Sequence, residues 1–241
     1  MLTRLSAHCY VLPYEERTDR PALGYVRGAA RTMQIDVGNS PAHVAKMLRA
    51  LADRGLPSPD LAALTHFHWD HTFGLCAMTC PAIACAATDA QLAAMSRWEW
   101  SLPAMEARVR RGEELAFCHE HQLLEYEDVS RIRVVRPSIV YEARLRVALG
   151  DCTAELMKLP NSHTEDSCAV LIAPDGVLFL GDTAYEDLTH DPGVHHAEAC
   201  RALIRALTPL DFTVVVCGHQ PPQTREELFA ELTEALAGAG E

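Results

Sequence analysis

Apolar and polar positions follow one another along the chain in a pattern that predicts strands and helices in turn. Ser40-Pro41 supplies a cap residue and a proline at the first helical position. Val44, Met47, Leu48 and Leu51 then form one stripe at i, i+3, i+4 and i+7, and Gly55 closes the helix. The run Leu61 to Leu64 is short and apolar. Ala154 to Leu159 alternates and stops at Pro160-Asn161-Ser162. Cys168 to Ile172 and Val177 to Leu180 flank Pro174-Asp175-Gly176, which reads as a hairpin. Thr213 to Cys217 is apolar throughout, as expected for a strand buried on both faces. A helix is expected over about Ala197 to Leu207. Thr224 and Glu227 have capping-box spacing, and Leu228, Leu232 and Leu236 follow on one helical face.

Chemistry sits where these runs end. Leu61 to Leu64 leads into His66-Phe67-His68-Trp69-Asp70-His71, four potential metal ligands within six residues. In an extended strand, side chains at i and i+2 share a side, so His66, His68 and Asp70 can converge. His71 joins them only if the backbone bends after Asp70. Without a metal, each of these polar groups would need its own partner. The cluster exceeds the three protein ligands that one catalytic zinc takes, which points to two metals. Downstream, the alternating run before Pro160 leads to His163, the second hairpin strand to Gly181-Asp182, and the run ending at Cys217 to Gly218-His219. Glycine before a ligand lets the backbone approach closely.

The segment from about Asp89 to Asp128 is helix-rich, with Leu92, Met95, Trp98, Met105, Val109 and Leu115 as apolar positions and a helix boundary at Ser101-Leu102-Pro103. Its place between ligand motifs makes it a candidate lid over the site. Trp98 and Trp100 are read as packing this insertion onto the main body rather than lining a pocket. His119 and His121 diverge by about 200° on a helix and are read as part of a solvated polar face. His195-His196, His8, His43 and His190 receive the same reading.

Length and composition agree with one enzyme-sized domain over residues 1–241: at 49% hydrophobic, the chain can bury a sizeable core without disulfides. A formal charge of -12, with no Lys/Arg cluster, argues against a nucleic-acid surface, which would need a basic stripe. Nothing approaches the roughly eighteen apolar residues of a membrane span, and the N-terminus lacks an apolar signal segment. Nine cysteines, an odd count, fit reduced thiols in a cytoplasm, with Cys76, Cys80 and Cys85 as small buried hydrophobes.

The ordered set HxHxDH, His163, Gly181-Asp182 and Gly218-His219 resembles the metallo-β-lactamase superfamily of binuclear hydrolases. Asp36-Val37-Gly38, ending a strand Thr32 to Ile35, resembles that superfamily's first motif. The resemblance implies an α/β fold: an αββα four-layer sandwich, here with a helical insertion at 89–128 and the metals at one edge. It further implies that His66, His68 and His163 hold one divalent metal, and Asp70, His71 and His219 the other. Asp182 would bridge them and Asp36 would support the site from behind. Zinc is the expected ion, although imidazole and carboxylate suit iron and manganese as well. One departure is visible: the third motif usually reads Gly-His-Thr, and here it is Ser162-His163-Thr164.

The function implied is hydrolysis of an ester, thioester or lactone of a small-molecule substrate by a metal-bound hydroxide, with Asp70 orienting it and passing a proton to the leaving group. β-Lactamases of the superfamily carry cysteine or serine where Asp182 stands. The 22 residues after His219 are too few for the extra domain of glyoxalase II enzymes, and flavodiiron-type reductases have glutamate in place of His68. Quorum-lactone hydrolases share a tyrosine three residues after the bridging aspartate, here Tyr185, a candidate donor to the substrate carbonyl. Two other readings stay open: a metal- and ligand-binding protein without turnover, and a mononuclear iron dioxygenase on the same fold.

Overall fold

Runs that are apolar at every residue become strands covered on both sides. The computed structural model describes residues 1–188 and 194–238, so His190 lies outside the described residues. A first sheet holds β1 (Thr3–Arg4), β2 (Cys9–Leu12), β3 (Leu23–Arg27), β4 (Thr32–Ile35), β5 (Leu61–Ala63), β6 (Ala82–Cys85) and β7 (Ile139–Tyr141), in chain order. A second sheet runs β13-β12-β11-β10-β9-β8, with β8 (Arg144–Ala148), β9 (Thr153–Lys158), β10 (Cys168–Ala173), β11 (Val177–Gly181), β12 (Val214–Cys217) and β13 (Gln223–Thr224). The expected hairpin is β10–β11, with Val170 opposite Phe179, while β11 and β12 run parallel.

Strand periodicity sorts the side chains between two layers of core. Cys168, Val170 and Ile172 of β10 meet Val26, Ile35 and Ile83 of the first sheet in the space between the sheets. The alternate residues Ala169 and Leu171 face outward, onto Leu203 of α6 (Ala197–Leu207) and Leu228 and Leu232 of α7 (Arg225–Gly238). On the far side, Tyr10, Leu12, Leu23 and Tyr25 pack on Met47 and Leu51 of α1 (Pro41–Ala52). The order of layers is therefore α, β, β, α. Burying each large aliphatic side chain contributes about 1.5–3 kcal/mol, so both faces of β10 stabilise the sandwich. The helix starts are as expected: Ser40 Oγ accepts from the His43 N–H at 3.1 Å. In the capping box, the Thr224 N–H donates to Glu227 at 2.7 Å and the Glu227 N–H to Thr224 Oγ at 3.2 Å.

Two local details differ from the sequence reading. β5 ends at Ala63, and α2 (Trp69–Thr72) begins inside the ligand motif, so the bend falls before Asp70 rather than after it. His43 is fully buried, not solvated. It stands four residues before Met47, in helical register with the apolar stripe, and packs against Gly38, so helix geometry carries it inward.

The insertion forms α3 (Ala86–Met95), α4 (Leu102–Arg110) and α5 (Ala116–Glu125). Trp100 packs edge-on against Phe73, with ring centroids 5.2 Å apart, in an aromatic core with Trp69 and Met105. α5 is tied to the loop beyond β4, where Tyr126 Oη donates to the Asn39 carbonyl at 2.8 Å, and to the loop before β3, where Arg20 pairs with Glu125 at 2.7 Å.

Candidate metal centre

The C-terminal ends of β4, β5, β11 and β12 lie at one edge of the sandwich, and each delivers polar side chains there. Two groups of ligand-type atoms result, each lying within 4.8 Å of one another: His66, His68, His163 and Asp182, and Asp70, His71, Asp182 and His219. Each group could hold a metal ion, and Asp182 belongs to both. Asp182 Oδ2 stands 3.9 Å from His66 Nε2, 3.7 Å from His163 Nε2, 3.3 Å from His71 Nε2 and 3.5 Å from His219 Nε2.

Glycine makes this approach feasible. A Cβ on Gly218 would sit 2.0 Å from Asp182 Oδ1 and 3.1 Å from the His71 ring. Gly181 has a φ of +55°, and its Cβ would lie 2.6 Å from Thr65 Oγ1. Ser162, which replaces the usual glycine of the third motif, does not adopt a positive φ. Its hydroxyl instead accepts the His196 N–H at 3.0 Å.

Behind the ligand atoms, a second row of hydrogen bonds sets the tautomers. His71 Nδ1–H donates to Asp36 Oδ2 at 2.8 Å. Thr65 donates to the same carboxylate from its hydroxyl, at 2.8 Å, and from its backbone N–H, also at 2.8 Å. With its proton committed to Asp36, the Thr65 hydroxyl accepts from His66 Nδ1–H at 3.1 Å. His163 Nδ1–H donates to the Glu186 carbonyl at 3.1 Å. Each of these three rings therefore turns its Nε2 inward. His68 instead presents Nδ1, which lies 3.1 Å from His163 Nε2. Asp36 itself has a φ of 54°, a conformation that aspartate tolerates better than most side chains.

Electrostatics divides the two groups. Burial, with the neighbouring His71 and His68 rings, holds His66 well below its ordinary range. Burial and His163 push His68 down to about 3. In the second group burial also opposes charge, but the carboxylates win: Asp70 and Asp182 raise His71 well above its usual value, and Asp182 with Asp70 does the same for His219. Burial alone would raise Asp70, and the His71 and His219 charges draw it down instead. One group thus offers neutral imidazole lone pairs and the other attracts positive charge, two conditions that suit cation binding.

A cavity of about 560 Å³ opens onto both groups, walled by Leu115, Phe117, Cys118 and His121 of the insertion and by Tyr14, Glu16 and Asp19. His121, read from sequence as solvated, faces this cavity; its ring lies 4.0 Å from Phe117. Tyr185 also lines the cavity, and its hydroxyl accepts the His219 backbone N–H at 2.9 Å. Asp19 escaped sequence reading altogether. Its Oδ1 lies 3.6 Å from His219 Nδ1, and burial, reinforced by Asp70, raises its carboxyl to about 7. No motif surrounds it, so only the folded loop reveals its position. Two of the other histidines have structural partners: His8 meets Asp175 at 2.6 Å, and His196 meets Asp187 at 3.2 Å.

Comparison with known proteins follows the same lines. The sequence profile of the family described as the metallo-beta-lactamase superfamily matches residues 24–219. Acyl-coenzyme A thioesterase MBLAC2 of Bos taurus is 25% identical over 240 residues, covering 94% of this chain and 82% of that protein. Its counterpart in Gallus gallus is 27% identical over 237 residues, with the same coverage of 94% and 82%. Among solved structures, a metallo-beta-lactamase from Pontibacter korlensis aligns with a TM-score of 0.69 at 16% identity, over 98% of each chain. At that identity the likeness is one of fold.

Proposed function

We propose that this chain, which belongs to the metallo-β-lactamase superfamily, hydrolyses carboxylic thioesters or esters, lactones included, with two divalent metal ions, zinc being the favoured one. The observation that carries this reading is the pair of ligand groups sharing Asp182. His66, His68 and His163 would hold one ion, and Asp70, His71 and His219 the other. The residues fit such ions. His66 Nε2, His71 Nε2 and Asp182 Oδ1 are buried without a hydrogen-bond partner, a costly state unless a cation satisfies them. Bound there, the ions would supply Lewis acidity, lowering the pKa of water to about 7 and polarising a carbonyl.

The protein's own groups divide the remaining work. Asp36 holds His71 directly and His66 through Thr65, keeping both rings aimed. Asp70 lines the cavity 3.1 Å from His219 and is held ionised there, so it accepts a hydrogen bond from the attacking water, orients it and passes its proton on to the leaving atom. Tyr185 accepts from the His219 N–H and keeps its own proton, since burial raises its hydroxyl far above neutrality. That proton is available to the carbonyl oxygen as negative charge grows on it.

The curated relatives are named acyl-coenzyme A thioesterases, which supports an acyl–sulfur bond as the one cleaved. For the leaving group, charge argues differently. The described lining of the main cavity carries Glu16, Asp19 and Glu186 and no lysine or arginine, so we favour an uncharged thiol or alcohol. No helix among the described residues is long and apolar enough to cross a membrane. All nine cysteines are free, which supports a reducing, cytoplasmic setting. Residues 1–241 are read as a single metallo-hydrolase domain with 89–128 inserted. Assays of the zinc-loaded protein on acyl thioesters, lactones, phosphodiesters and β-lactams test the reading. Turnover is expected in the first two classes. One iron with oxygen uptake, or bound metal with no turnover in any class, would overturn it.

A further inference from the structure

A second cavity, of about 120 Å³, adjoins the first: His68, Leu115 and Cys118 line both. Its other walls include Phe67 and Trp69 from the ligand motif, and Met95 and Trp98 from the insertion. We propose that this chamber receives the apolar acyl arm of the substrate and so sets the size of acyl group accepted. The proposal rests on the hydrolase reading above and adds a substrate class to it. His68 is the link, since it belongs both to a metal-type group and to the chamber wall. An arm seated between Phe67 and Trp98 would leave its carbonyl beside His68, in the larger cavity. The leaving group would then extend toward Glu16 and Glu186, which line only the larger cavity.

The chamber is a built feature rather than loose packing. Trp98 is clamped from behind by Arg108, whose guanidinium lies 4.5 Å from its ring and 4.7 Å from that of Trp100. Arg108 is itself buried; it pairs with Glu114 at 2.9 Å and donates to the Glu99 carbonyl at 2.8 Å. The one charged group on the chamber wall that lies well below the surface, Glu114, is thereby matched by a cation. Size then sets the class of arm. An apolar cavity of about 150 Å³ holds benzene. A chamber of about 120 Å³ therefore suits a straight arm of roughly four to six carbons. Long fatty chains would overrun it.

A series of neutral thioesters from two to twelve acyl carbons, assayed with the zinc-loaded protein, tests this. kcat/KM is expected to rise about fourfold per methylene up to roughly four to six carbons and then fall. Met95→Phe, which fills the chamber, should move the optimum to shorter arms, and Trp98→Ala, which enlarges it, to longer ones. Binding of pentanamide, followed by tryptophan fluorescence, gives a readout independent of turnover and should weaken at least tenfold in Met95→Phe. Thioester turnover with an unchanged length profile in both folded variants would remove the chamber from the account and leave the hydrolase reading intact. Saturable pentanamide binding that Met95→Phe abolishes, without turnover of any thioester, would do the reverse. Neither binding nor turnover would sink both.

Discussion

Asp36 Oδ2 and His71 Nδ1 are joined by a 2.8 Å hydrogen bond between two fully enclosed side chains. One carboxylate, at the end of β4, thereby governs the orientation of a ring that the chain reaches 35 residues later. Through Thr65 it also governs His66. Asp36→Asn keeps the shape and tolerates the same backbone conformation but loses the charge and one acceptor. Metal affinity should fall about 10- to 100-fold, as it does when such supporting partners are removed. Titration with a chelating competitor measures it, and unchanged affinity would remove Asp36 from its supporting role.

Tyr185 offers a cleaner separation of binding from chemistry. Tyr185→Phe removes the donor but no ligand atom, so metal content should stay constant while kcat falls about 10²-fold. Equal losses of metal and activity would show that the hydroxyl serves only to hold His219 through its N–H.

His8 lies far from the candidate centre and should register in stability instead. Its hydrogen bond to Asp175 raises its pKa above 6.5; burial opposes this, and Asp151 adds to the rise. A pKa raised in the folded state means that folding takes up the proton more tightly. The stabilising contribution is therefore full below about pH 6.5 and is lost as pH rises through the folded value. Denaturant unfolding between pH 6 and 9 should show a steeper loss of stability for the native chain than for His8→Gln. Parallel curves would place no linkage at His8.

Charge at the cavity should show in the choice of leaving group. With the same acyl arm, a neutral thioester should exceed one bearing phosphates on its thiol by about tenfold in kcat/KM at low salt, the gap narrowing as salt screens Glu16 and Glu186. A preference for the phosphate-bearing thioester that strengthens at low salt would refute this.

Much of the site is legible in sequence because strand ends are local features. His66, Asp182 and His219 each follow an apolar run, and Gly181 and Gly218 announce a close backbone approach that the structure quantifies. That β12 is covered on both faces was legible too, since it is apolar at every position, whereas the order of layers came only from the family resemblance. What escaped depends on contacts between distant segments. Asp19 meets His219 only because the loop before β3 folds over the edge of the sandwich. Trp98 and His121 acquire their cavities from the way α3, α4 and α5 pack, which periodicity along one helix does not encode. The bend before Asp70 was misplaced because a four-residue helix has too little pattern to announce its start.

Counting metal ions by elemental analysis, in the native chain and in Asp182→Ala, is the most direct test of the central claim. Two divalent ions per chain are expected in the first. In the second, both sites should weaken together, because Asp182 Oδ2 lies within 4 Å of ring nitrogens from both groups. A native chain that retains no metal, or one whose metal content is indifferent to Asp182, would contradict the account.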